Sequence, residues 1–193
     1  MEKILFSEGI FEFVSEEKNY DINGENKKIK RTFVRRPPGI RAIILNSKNE
    51  ILLSKEYRYE LETFDYRLPG GKVFDDINDY RKSIDNNTIL ENVFKTVAKE
   101  IKEEVGILIK NPELYTTSHA GASVVWDLYY FIVKDFEIIE NGQELEESEI
   151  IDGFVWKNQE EIVKMCLEKQ IHEERTIGVL LSYILKQNKQ YYL

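Results

Sequence analysis

The chain is expected to fold as an α+β protein, and three observations carry that expectation. Short segments rich in β-forming residues are punctuated by turn signals, three stretches have helical spacing, and the apolar content is high enough for one substantial core. At 193 residues, 42% hydrophobic and 12% aromatic, a single globular body is within reach. Strands dominate and the helices do not alternate regularly with them, which is an α+β layout.

Taken in order, residues 11–21 and 27–34 flank Asn23-Gly24, a dipeptide that favours the type I′ turn of a hairpin. Residues 1–36 are therefore expected to form an N-terminal β-hairpin region. Arg35-Arg36-Pro37-Pro38-Gly39 breaks the pattern, and residues 40–45 and 50–56 read as the next strand pair around Asn46-Ser47-Lys48-Asn49. Arg67-Leu68-Pro69-Gly70-Gly71 ends an apolar stretch as a strand running into a tight turn. Residues 74–87, rich in Asp and Asn, read as an exposed loop. Thr88 with Glu91 has the form of a capping box, starting a helix that Gly106 suits for ending. Val93, Phe94, Val97, Ile101 and Val105 give that helix an apolar stripe. Further strands are expected at 114–118, 124–134 and 154–156, and helices at 160–168 and 176–189. The main domain is taken as residues 37–193.

Charge and composition exclude several classes. A net charge of −8 argues against a broad nucleic-acid surface, which demands basic stripes, although it permits a small phosphorylated substrate. No stretch approaches the apolar length of a membrane span, and Met1-Glu2-Lys3-Ile4 lacks a signal peptide's apolar run, so a cytoplasmic protein is expected. The single cysteine, Cys166, sits among Ile162, Val163 and Leu167 and reads as a packing residue. Trp126 and Trp156 read as core fillers. His119 is assigned no catalytic role.

The sharpest chemical signal is Lys99 to Ile107, KEIKEEVGI. On a helix, Glu100, Glu103 and Glu104 share one face, where like charges repel by a few tenths of a kcal/mol per pair, on the order of the usual i,i+4 effect. A solvated face explains one such run. An acidic edge beside a packed apolar stripe instead suits a divalent cation, whose preferred ligands are carboxylate oxygens.

Gly71, then Glu91, seven residues, then KEIKEEVGI resembles the signature of the Nudix hydrolases. Glu100, Glu103, Glu104, Gly106 and Ile107 stand where that signature wants them. Two departures are visible: the gap from Gly71 to Glu91 is fourteen residues longer than the pattern, and the usual arginine is Lys99. Lysine keeps the charge but lacks the planar fork that grips a carboxylate bidentately. The resemblance implies an α/β/α sandwich with a mixed sheet. Glu56-Tyr57-Arg58, Ser118-His119-Ala120-Gly121, an acidic loop and residues 171–177 are similar to the ADP-ribose pyrophosphatase branch. The turn Arg67-Leu68-Pro69-Gly70-Gly71 follows the general Nudix form.

What the resemblance implies is Mg²⁺-dependent hydrolysis, with Mn²⁺ the second choice of ion, of a nucleoside diphosphate derivative. ADP-ribose or a sugar nucleotide comes first, and two monophosphates are the products. Glu100, Glu103 and Glu104 would hold the metal, with Gly71 adding a carbonyl, while Glu91 and Lys99 orient that shell. Glu146 and Glu147 are favoured as the general base among the glutamates of residues 144–149, against the plainer reading of a solvated loop. Arg58, Arg67 and Arg41 are the substrate-binding candidates, since arginine matches phosphate geometry. A homodimer joined through the N-terminal hairpin is expected from the same branch. Two other readings stay open: a nucleoside triphosphate pyrophosphohydrolase, and a Nudix-fold nucleotide sensor without turnover.

Overall fold

The computed structural model describes residues 1–140, 142–147 and 149–188. Ser148 of the acidic loop and Lys189, the expected end of the last helix, lie outside the described residues. Among the described residues, twelve strands and four helices form an α+β architecture with mixed sheets. The chain divides into two compact units, one of Met1–Ile40, Lys72–Thr96 and Thr116–Tyr129, the other of Arg41–Gly71, Val97–Tyr115 and Tyr130–Leu193.

In the first unit, β1 (Glu2–Glu8), β2 (Phe11–Ile22) and β3 (Glu25–Arg35) form an antiparallel meander, and the short β9 (Val124–Val125) pairs with β3 in parallel. The expected hairpin is β2–β3. Asn23 and Gly24 both take positive φ, 57° and 83°, as a type I′ turn requires. Strand β1 is an addition to the expected pair. All seven of its residues are exposed, so backbone pairing with β2 holds it rather than burial, and it leaves no alternating pattern to read.

The stretch at 74–87 corrects the expectation of an exposed loop, because it holds a helix, α1 (Ile77–Asp85). Asp76 caps it by accepting the Asn78 N–H at 2.7 Å, and Ile77, Tyr80 and Ser83 face inward at i, i+3 and i+6. Polar Asp and Asn residues at the cap and the exposed positions disguised this amphipathic turn as a loop. Arg81 of α1 then reaches Glu12 of β2, donating from Nε at 2.6 Å, while Arg35 of β3 grips the same carboxylate and Glu2 at 2.9 Å. Glu12 is 1% exposed, so this is a buried ionic clasp between the helix and the sheet.

The capping box is also corrected. Helix α2 (Ile89–Val105) begins directly after Thr88, but the Thr88 N–H donates to the Ser83 carbonyl at 2.9 Å. With that donor already taken by α1, Glu91 turns outward and pairs with Lys95 at 2.6 Å.

In the second unit, β12 (Ile151–Lys157), β5 (Ile51–Arg58) and β6 (Thr63–Arg67) form an antiparallel sheet in that order. β7 (Ile107–Lys110) pairs with β11 (Asp135–Ile138). A further sheet takes β4 (Gly39–Ile44), β10 (Asp127–Val133) and β8 (Glu113–His119) in that order. Helices α3 (Gln159–Leu167) and α4 (Glu174–Gln187) follow, α3 closed by a capping box between Asn158 and Glu161. Ile43, Leu53, Ile101, Phe131, Ile162 and Leu180 are at 0% exposure and mark the core of this unit, where Cys166 is also buried. No helix among the described residues is long and apolar enough to cross a membrane.

Candidate active site

Helix α2 is docked by Val93, Val97 and Ile101, all at 0% exposure, and by Val105 one turn further on. Phe94 departs from the expected stripe: it lies one position round the helix and is 43% exposed. The docked stripe fixes the neighbouring face, and the three glutamates fare differently on it. Glu104 is 8% exposed and its Oε2 accepts the Gly70 N–H at 2.6 Å. Glu100 lies flat against Gly71, so closely that a Cβ on Gly71 would stand 1.7 Å from Glu100 Oε2. Glu103 is the most accessible. Lys99 serves two of them, at 3.1 Å from Glu103 and 3.5 Å from Glu100.

Burial pushes Glu104 up to about 7, because the Gly70 N–H, Arg41 and the Ser54 hydroxyl offset desolvation only in part and Glu56 adds repulsion. Burial likewise raises Glu100 to about 7; Lys99 opposes this, while Glu103 and Glu149 reinforce it. The site is thus short of positive charge. Among the described residues, no three His, Cys, Asp or Glu side chains converge to enclose a metal ion, since Glu104 is turned to Gly70 and Lys99 draws Glu100 and Glu103. The donor set nonetheless fits a hard divalent cation: two desolvated carboxylates whose positive neighbours, Lys99 and Arg41, offset burial only in part, beside a bare glycine that leaves room for them.

The acidic loop is tied to α2 by its backbone. The Glu144 N–H donates to the Glu103 carbonyl at 2.7 Å, and Gln143 Nε2 to the Glu104 carbonyl at 2.9 Å. Glu146 and Glu147 are exposed, and the Glu146 N–H donates to Glu149 at 3.0 Å. Glu149 of this loop acts electrostatically on Glu100.

The expected substrate arginines are placed as follows. Arg58 pairs with Glu56 at 2.6 Å and with Glu60. Arg67, 7% exposed, meets Glu173 at 3.2 Å, Asp65 at 3.4 Å and Glu56 at 3.7 Å. Arg41 donates to Glu173 at 3.3 Å. Of the remaining basic cluster, Arg35 belongs to the Glu12 clasp and Arg36 lies 4.1 Å over the Trp126 ring. Trp156 stacks on Phe136 with a centroid separation of 6.0 Å. Glu173 and Asp65 were not singled out as site residues by motif reading, because a lone Glu or Asp carries no signal until its partners, distant in sequence, are known.

Burial acts to raise Glu173, but Arg41, Arg67 and the Thr176 hydroxyl outweigh it and hold the carboxyl at about 2. Its folded value lies below the ordinary 4.5, so its contribution is complete above about pH 4.5 and is lost as pH falls towards 2. Glu100 and Glu104 have the opposite sign, and their cost grows as pH rises through about 7. In chelator, the melting temperature is therefore expected to climb from pH 2 to about 4.5 and to decline again towards pH 8. A profile flat across the acid limb would show that Glu173 is not so paired.

A family model described as the NUDIX domain matches residues 35–177. The chain belongs to the Nudix family. Among curated proteins it is similar to a methanol dehydrogenase activator of Bacillus methanolicus, 26% identical over 168 residues, covering 86% of this chain and 80% of the relative. It is also similar to an ADP-ribose pyrophosphatase of Bacillus subtilis (strain 168), 21% identical over 165 residues, covering 85% and 81%. Of solved structures, an ADP compounds hydrolase superposes with a TM-score of 0.62 at 14% identity, covering 97% of this chain and 90% of the other. The E. coli ORF135 protein does so with 0.57 at 18%, covering 81% and 94%. These likenesses establish the Nudix fold, and the chain is a member of the Nudix hydrolases.

Proposed function

We propose that this Nudix hydrolase cleaves the pyrophosphate bond of a nucleoside diphosphate derivative, ADP-ribose or a sugar nucleotide first, to give two monophosphates, with Mg²⁺ or Mn²⁺ as cofactor. The observation that carries this is the gathering of Glu100 and Glu104 against the Gly70–Gly71 turn in surroundings short of positive charge. The names of the Bacillus subtilis relative and of the ADP compounds hydrolase support the choice of substrate. Residues 37–193 form the catalytic domain in this reading and residues 1–36 an N-terminal element; the family match beginning at residue 35 supports that boundary. A cytoplasmic homodimer belongs to the same reading, the dimer resting on the resemblance and the location on the sequence expectation.

Glu100, Glu103 and Glu104, with the Gly71 carbonyl, would hold the cation. When bound, it supplies positive charge for the phosphate oxygens and makes water acidic enough to attack near neutral pH. The chain's own residues set the stage. The Gly70 N–H aims Glu104, Lys99 restrains Glu100 and Glu103, and Arg58, half-buried at the end of β5, offers a guanidinium to a phosphate. Glu146, Glu147 or Glu149 of the acidic loop takes the proton from the attacking water.

Product analysis tests this: ADP-ribose, sugar nucleotides and nucleoside triphosphates are each incubated with Mg²⁺ and with chelator. AMP plus ribose phosphate from ADP-ribose, only with metal, is the expected result. Pyrophosphate released from a triphosphate would move the substrate class, and tight binding without turnover would make the protein a sensor. Glu103→Gln should lower kcat by about 100-fold or more with little loss of stability, as Glu103 is the least buried of the three. Unchanged turnover in that variant would remove Glu103 from the metal set.

A further inference from the structure

Glu173 lies just before α4, far beyond the acidic signature in sequence. Its side chain is largely buried, and one oxygen, Oε2, collects three donors: Arg41 Nε at 3.3 Å, Arg67 Nη2 at 3.2 Å and Thr176 Oγ1 at 2.7 Å. The two guanidiniums stand on different strands, Arg41 on β4 and Arg67 at the end of β6. They are like charges in a desolvated setting, so an anion between them is what lets both strands approach. Arg67 also meets Asp65 at 3.4 Å and Glu56 at 3.7 Å. Its Nε is buried without a hydrogen-bond partner, and the adjacent Arg41 joins burial in lowering its pKa.

These two strands flank the turn that carries the glutamate site. Arg67 immediately precedes Leu68-Pro69-Gly70-Gly71, and the N–H of Ala42, next to Arg41, donates to the Pro69 carbonyl at 2.8 Å. Within the turn, the Gly70 N–H holds Glu104 and the Gly71 Cα meets Glu100.

We infer that Glu173 is a positioning residue of the glutamate site: by bridging Arg41 and Arg67 it sets the turn against which Glu100 and Glu104 are aimed. The inference rests on the hydrolase reading for its catalytic consequence, but not for its structural one. An anion shared by both arginines fixes β4 against the start of the turn, and the turn's amide in turn fixes Glu104. A partner hydrogen-bonded to a metal ligand, as the Gly70 amide is to Glu104, typically changes metal affinity by about 10- to 100-fold, which sets the scale for Glu173 acting through that amide.

The test compares Glu173→Gln, Glu173→Asp and Thr176→Val with the wild type. Three quantities are read: Mn²⁺ affinity without substrate by electron paramagnetic resonance, hydrogen exchange of the Gly70 amide, and kcat with KM on the substrate the panel identifies. Glu173→Gln is expected to weaken Mn²⁺ binding by about 10- to 100-fold, to speed Gly70 exchange and to lower kcat with KM nearly unchanged. Glu173→Asp, which keeps the charge, should recover part of each loss. Thr176→Val removes the hydrogen bonds of Thr176 to Glu173 and to the Tyr130 hydroxyl but leaves the bridge, so it should lower the melting temperature and keep Mn²⁺ affinity. A folded Glu173→Gln protein with wild-type Mn²⁺ affinity, Gly70 exchange and kcat overturns the inference, as do equal losses in Thr176→Val. Should Glu173→Gln fail to fold, wild-type behaviour of Glu173→Asp in all three measurements overturns it, and intermediate values support it. A wild type that neither binds Mn²⁺ nor turns over any substrate defeats the hydrolase reading instead, and Gly70 exchange then decides the positioning role alone.

Discussion

Gly71→Ala is expected to fold normally and to lose nearly all turnover. A Cβ at Gly71 would stand 1.7 Å from Oε2 and 2.6 Å from Cδ of Glu100, and the nearest atoms all belong to that one flexible side chain. The backbone therefore has no reason to move, and the carboxylate swings away. The cost to stability is that of a shifted surface-edge side chain, under about 1 kcal/mol. The cost to function is much larger under the proposed reading, in which Glu100 displaced by an ångström or more would no longer share a cation with its neighbours. Loss of one such interaction is expected to reduce kcat by about 100-fold or more. Thermal melting and steady-state kinetics on the same preparation check both halves. A Gly71→Ala protein with full activity would place Glu100 outside the working site; a large fall in melting temperature would mean that the turn, and not Glu100, yields.

Glu12→Gln has the largest expected effect on stability. Glu12 accepts from Arg35 and from Arg81 while 1% exposed, and the substitution leaves two guanidiniums facing a neutral amide, with Glu2 the remaining carboxylate on Arg35. Breaking a buried ionic cluster on one side costs about 3–5 kcal/mol, which for a chain of this size lowers the melting temperature by roughly 10 °C. Replacing all three of Glu12, Arg35 and Arg81 with apolar residues of similar volume should cost less than Glu12→Gln alone, since the charge then left without its partner, Glu2, is exposed to solvent. Denaturant melts of the two variants decide the matter. If Glu12→Gln melts within about 1 kcal/mol of the wild type, the clasp does not hold α1 to the sheet.

Elements built on local chemistry were legible. Asn23-Gly24 specified the hairpin because two successive positive φ angles suit few other residue pairs, and the recurrence of Val93, Val97, Ile101 and Val105 specified the docked face of α2. Elements defined by partners were not. β1 is a strand only because β2 offers it a backbone edge, and α1 hides its amphipathic spacing under Asp and Asn. Glu91 reads as a cap until the Ser83 carbonyl is seen to take the Thr88 N–H.

The family, the spacing of three carboxylates along one helix and the glycine turn that precedes them were all readable from the chain, because each is a matter of residue type at short range. How those carboxylates differ emerged only on folding. Glu104 is buried on Gly70, Glu100 is pressed to Gly71 and Glu103 is left more accessible. The convergence of Arg41 and Arg67 on Glu173 likewise exists only in the folded protein. Charge and burial depend on distance in space and on excluded water, and neither is written in the spacing of residues along a chain.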